Sequence, residues 1–170
     1  MFALEKGQKN RILRGRAKEV EGVDEEIREC MRKMKSIMRE ENGIGLAAPQ
    51  IGLPIRVFVA ELPAKSASGT PRFYAFANPE IVKKSSESDT LEEGCLSLPG
   101  LFGTVPRARK VVLRGLDQRG KKVEVKASGL LARIFQHEMD HLNGALFIDR
   151  AKEVYEYRLE NKNVREADAH

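Results

Sequence analysis

Ile27, Met31, Met34 and Met38 recur at spacings of four, three and four, the period of one face of an α-helix. Asp24 stands ahead of them as an N-cap, Glu25 and Glu26 fill the first turn, and Asn42-Gly43 closes the segment. An amphipathic N-terminal helix is therefore predicted. Cys30 shares the stripe and is expected to be a core thiol. Residues 1–23 are basic and irregular, with Ile12 and Leu13 as anchors. Extended runs follow. Residues 55–61 alternate around Val57 and Val59, 73–82 break at Asn78-Pro79, and 110–116 and 121–126 flank Asp117-Gln118-Arg119-Gly120 as a hairpin. Segments 64–70 and 83–89 read as polar loops. A second helix is expected from Ser128 to Gly144, then a polar helical tail over 151–170 around Val154, Tyr155 and Leu159. Helix, strands, then helix predicts an α+β fold, with residues 1–150 as its domain, rather than an alternating one.

Composition narrows the classes. With 170 residues, 41% hydrophobic and 32% charged, the chain suits one well-buried globular domain. No run approaches the roughly 18 apolar residues of a membrane span. The first residues lack a signal-peptide core and carry Glu5, Glu19 and Glu21, unlike acid-poor transit peptides. A soluble cytoplasmic monomer is expected. Two cysteines make no disulfide framework. The net charge is +5, yet residues 101–126 hold eight basic residues against Asp117 and Glu124. Without interleaved aromatics, a solvated hairpin face is preferred there to a nucleic-acid site.

The chemistry concentrates at His137-Glu138-Met139-Asp140-His141. Histidines four apart project from one helical face and can share one metal ion, with Glu138 beside them to handle a water proton. They continue the apolar stripe of Leu130 and Ile134, which points them inward. A catalytic site needs a third ligand, and two candidates stand open. Cys95, in Glu93-Gly94-Cys95-Leu96-Ser97, is favoured because Gly94 permits close approach and a thiolate binds borderline-soft ions strongly. Glu160, 19 residues past His141, sits in a charged tail segment.

Three segments taken in order, Gly43-Ile44-Gly45-Leu46-Ala47-Ala48-Pro49-Gln50, Glu93-Gly94-Cys95-Leu96-Ser97 and Gln136-His137-Glu138-Met139-Asp140-His141, closely resemble the signature motifs of peptide deformylases. The resemblance spans roughly residues 23–149. It implies an α+β fold with the His-Glu-x-x-His helix at the centre of antiparallel β-sheets, an N-terminal amphipathic helix and a C-terminal helix. It implies removal of the N-formyl group from the initiator Met of nascent chains. By position, Cys95, His137 and His141 become metal ligands, and Glu138 the general acid/base. Gln50 and the Leu96 N–H become oxyanion donors. Gly43, Ile44, Gly45, Gly94, Leu130 and Ile134 become substrate-binding residues, the last two weighed evenly against plain core packing.

The implied metal is Fe(II), with Zn, Ni or Co able to replace it; the implied partners are N-formylmethionyl peptides. The ribosome is carried only as a further partner, because the tail from Ala151 mixes both signs of charge. Neither a membrane nor a specific nucleic acid is expected. The chain departs from many bacterial relatives in two places. Pro99-Gly100-Leu101-Phe102 is similar to organellar variants, so a mature organellar form is the alternative location. Arg133 replaces an apolar residue, which is expected to alter pocket shape. The rivals are a zinc endopeptidase using Glu160 and a non-enzymatic, metal-stabilised RNA-binding module.

Overall fold

The computed structural model describes residues 3–64 and 69–156. In chain order the elements are α1 (Glu25–Glu40), β1 (Gly45–Ala47), β2 (Val57–Leu62), β3 (Arg72–Lys84), β4 (Ser88–Gly94), β5 (Leu101–Ala108), β6 (Lys110–Leu116), β7 (Lys122–Ser128), α2 (Leu130–Leu142) and β8 (Glu153–Glu156). Five strands form one sheet in the order β1-β2-β3-β6-β7, and three form a second in the order β4-β5-β8. Each of these pairings is antiparallel.

The Asp24 side chain accepts from the Ile27 N–H at 2.9 Å, and α1 buries Cys30, Met31, Met34 and Met38. Those methionines cover one face of the large sheet, against Val57, Val59, Ala75 and Ala77. On the opposite face α2 packs Phe135 between Phe58 and Phe76, with ring centroids 5.7 and 5.5 Å away. Phe58 and Ala60 thus face α2 while Val57 and Val59 face α1. This explains why all four residues are buried where the sequence predicts an alternation. A strand covered on both faces has no polar side.

Helix α2 is therefore held between the sheet and the rest of the molecule. Its last carbonyl, Leu142 O, accepts from Ala17 N at 2.9 Å and from the Arg56 guanidinium at 3.3 Å. Such partners satisfy a helix end that would otherwise be buried unpaired.

Three expectations are corrected. Residues 153–156 are a strand, not part of a helix, because the backbone of β5 pairs with them from Leu101↔Glu156 to Thr104↔Glu153. The boundary at residue 150 consequently cuts a sheet; Leu159, Glu160 and the remainder of the expected tail lie outside the described residues. The polar loop expected over 83–89 shrinks to three residues between β3 and β4. Arg107, counted on a solvated hairpin face, is only 5% exposed.

Candidate active site

Three separate pieces of chain meet at one place. The first is β1 with the short 3-10 turn Ala48–Ile51 that follows it. There the Gln50 side chain folds back so that Oε1 accepts from Ala47 N at 2.8 Å. This leaves its Nε2 to donate to Ser97 Oγ at 3.2 Å and to approach Cys95 Sγ at 3.5 Å. The N-terminal segment braces the same place, since Glu5 N donates to Gln50 O and Gly7 N to Ser97 O. The second piece is the end of β4 and the turn carrying Cys95 and Leu96. Gly94 is needed there because a Cβ would lie 2.9 Å from the Phe102 ring. The third piece is α2 itself.

Cys95, His137 and His141 bring one donor atom each to within 4.8 Å of one another, and Cys95 Sγ lies 3.3 Å from His141 Nε2. Four-coordinate ions with N and S ligands at about 2.0–2.3 Å need donors spaced a few ångströms apart in this way. Two further observations fit a metal ion. Glu138 Oε2 is a buried carboxylate oxygen without a hydrogen-bond partner among the described residues, whereas the likewise unpaired His141 Nδ1 belongs to a ring whose other nitrogen, Nε2, faces Cys95. The Cys95 donor is also in ligating form. Burial alone would raise the Cys95 thiol, but the neighbouring His141 and His137 hold it well below its ordinary value. Burial likewise would lower His137, yet Cys95 and Glu93 hold it well above its usual range. A cation entering here displaces protons held among these groups.

Glu138 is 3% exposed, and burial pushes its carboxyl up to about 7 against the opposing pull of the two histidines. A carboxyl poised near neutral pH can both take and return a proton. Its place depends on Gly45, where a Cβ would collide with the carboxylate and lie 2.8 Å from Glu138 Cδ.

A cleft of about 600 Å³ opens above these groups, lined among others by Gly43, Ile44, Gly45, Gln50, Gly94, Leu96, Leu130, Ile134 and Glu138. The sequence-selected residues thus share one cavity, except His141, which is buried behind its wall. Ile44 and Leu130 are 40% and 46% exposed, so Leu130 is not plain core packing; Ile134 is buried and forms part of the wall. Arg133 also lines this cleft, with its guanidinium taken up by Glu93 and backbone carbonyls.

Sequence reasoning missed Glu93 as a separate player. Its Oε2 meets His137 Nδ1 at 2.9 Å, while Arg107 forks onto both its oxygens at 2.9 Å. Burial would raise this carboxyl; the Arg107 and His137 partners hold it well below the usual range. The signal was present only as a glutamate two residues before a candidate ligand.

A family model described as polypeptide deformylase matches residues 4–156. The peptide deformylase of Borreliella burgdorferi is 42% identical over 153 residues, covering 90% of this chain and 87% of that protein. Among solved structures, a Synechococcus elongatus peptide deformylase in complex with actinonin aligns at TM-score 0.82 and 38% identity, covering 89% of this chain and 79% of that one. A Met-Ala-Ser-bound class I type b peptide deformylase from Acinetobacter baumannii aligns at 0.80 and 36%, covering 88% and 98%.

Proposed function

The chain belongs to the polypeptide deformylase family, and we propose that Cys95, His137 and His141 hold its metal while Glu138 moves the proton. The activity is hydrolytic removal of the N-formyl group from N-formylmethionyl peptides, by a metal-dependent hydrolase. The observation that carries the residue-level reading is the thiolate–imidazole triad beside a buried, partnerless carboxylate oxygen.

When bound, the metal supplies Lewis acidity and lowers the pKa of water toward about 7. Glu138 Oε2 accepts the proton of the water that attacks the formyl carbon, then returns it to the departing amine. Gln50 Nε2, fixed in orientation by Ala47 N, and the Leu96 N–H donate to the oxyanion that develops. β1 ends the sheet order, so Gly45, with Gly43 and Ile44 leading into it, offers a strand edge to an extended peptide. Exposed Ile44 and Leu130, with Ile134 behind them, take the methionine side chain, and Gly94 keeps the Cys95 approach open.

Fe(II) is our reading of the resident ion on family grounds; one thiolate and two imidazoles also suit Zn, Ni or Co. Metal analysis of anaerobically purified protein tests this. We place the enzyme in the cytoplasm as a monomer, with nascent chains and the ribosome nearby. No helix of the described residues is long and apolar enough to cross a membrane. The endopeptidase rival through Glu160 is not favoured, because Cys95 already completes the ligand set.

Formate release from formyl-Met-Ala-Ser tests the mechanism. Glu138→Gln should lower kcat by roughly 10²–10⁴ while keeping its metal, and Cys95→Ser should lose the metal. A fully metallated wild type that releases no formate would overturn the assignment.

A further inference from the structure

Arg133 lies four residues, just over one helical turn, before His137 and is 8% exposed. Its Nη1 donates to Glu93 Oε1 at 2.7 Å and to Val105 O at 2.9 Å, and its Nη2 to Asp89 O at 2.7 Å. The guanidinium is thus fixed to α2 through its stem and to β4 and β5 through three hydrogen bonds.

Glu93 needs that second cation. Arg107 forks onto Glu93, but its Nη1 also donates to Asp140 Oδ2 at 2.6 Å. Two carboxylates therefore share one buried arginine. Asp140 has its own additional donor in Arg150 Nε at 2.7 Å; the corresponding donor for Glu93 is Arg133. With it, Glu93 Oε1 holds two arginine donors and Oε2 holds Arg107 Nη2 and His137 Nδ1. All the lone-pair directions of the carboxylate are then engaged, and it cannot turn. An apolar residue at 133 could line the cleft but could not reach this carboxylate.

We infer that Arg133 is a positioning residue that, through Glu93, holds the His137 ring with Nδ1 engaged and Nε2 turned to the metal. This rests on Cys95, His137 and His141 being the metal site. Partners that orient a ligating histidine set metal retention as well as activity.

The test is Co²⁺ release to a chelator from cobalt-loaded wild type, Arg133→Met and Arg133→Lys, with the visible spectrum of each. Met keeps the apolar stem and removes the donors. Arg133→Met should release Co²⁺ roughly 10–100-fold faster at a temperature where circular dichroism shows it folded, with shifted ligand-field bands. Arg133→Lys, which restores one donor, should fall between the two and carries the test if the Met variant does not fold. Wild-type release and spectrum in Arg133→Met, with only a lower Tm, would reduce the residue to a strap between helix and sheet and overturn the inference. A wild type that takes up no cobalt would instead overturn the metal-site reading on which it stands.

Discussion

Adding one methyl group at Gly45 should disable the enzyme without replacing any catalytic side chain. A Cβ there sits 2.8 Å from Glu138 Cδ and 3.1 Å from Ile134 Cγ2, where carbon pairs prefer about 3.5–4.0 Å. Something must give by roughly 0.7 Å. The β1 backbone cannot retreat, because it is paired residue for residue with β2 and its Leu46 and Ala47 are fully buried. Nor can α2, whose Ala132, Phe135 and Leu142 are fully buried. The Glu138 carboxylate therefore swings away. Overpacking of this kind costs about 1–3 kcal/mol, and losing a placed acid/base costs about 10²–10⁴ in rate. We expect Gly45→Ala to keep its metal and to lose at least about 10²-fold in kcat in the formate-release assay. A double-mutant cycle isolates the cause. In a Glu138→Ala background the extra methyl has room, so most of its stability cost should vanish from urea unfolding curves. Wild-type kcat in Gly45→Ala, or an equal stability cost in both backgrounds, would refute the collision.

Other perturbations test the frame. Asp24→Ala removes the cap on α1 and should cost about 1 kcal/mol in urea unfolding with formate release unchanged; no cost would mean the cap bond is idle. Gly144 has φ +76° and a Cβ there would lie 2.5 Å from Arg14 O, whereas Gly7 has φ +104° and open space. Both alanine variants should bear strain of about 1–2 kcal/mol, and Gly144→Ala a further 1–3 kcal/mol or so for the clash; equal Tm losses would contradict this. Burial would raise Asp149, but Arg14 and the Leu146 N–H hold its carboxyl below the usual range. A depressed folded-state pKa stabilises above the unfolded value and is lost as pH falls. Asp149→Asn should thus cost at most about 1 kcal/mol at pH 7, the pair being partly exposed. That difference should close as pH drops below about 3.9, and a gap unchanged at pH 3 would rule it out.

The legible parts of this chain are those where neighbours in sequence are neighbours in space. Apolar spacing and capping reveal α1, and two histidines four apart reveal a candidate ligand pair because a helix fixes their geometry locally. β4 and β5 escaped notice for a physical reason. Their buried positions include Glu93, Gly103 and Arg107, so the charge network that serves the site erases the alternation by which strands are read. The pairing of Glu93 with His137 spans 44 residues, and nothing local announces it. The tail was misread because Val154 and Tyr155 fit either period, and only the backbone of β5 decides between them.

One consequence follows from the order in which the site's pieces occur. Gln50, Cys95 and His141 lie far apart along the chain, and β8 completes the small sheet only at Glu153–Glu156. A copy still under synthesis has no working centre until that stretch is free to fold. A growing copy therefore cannot act on its own first residue before His141, the last of the three donors, has been made.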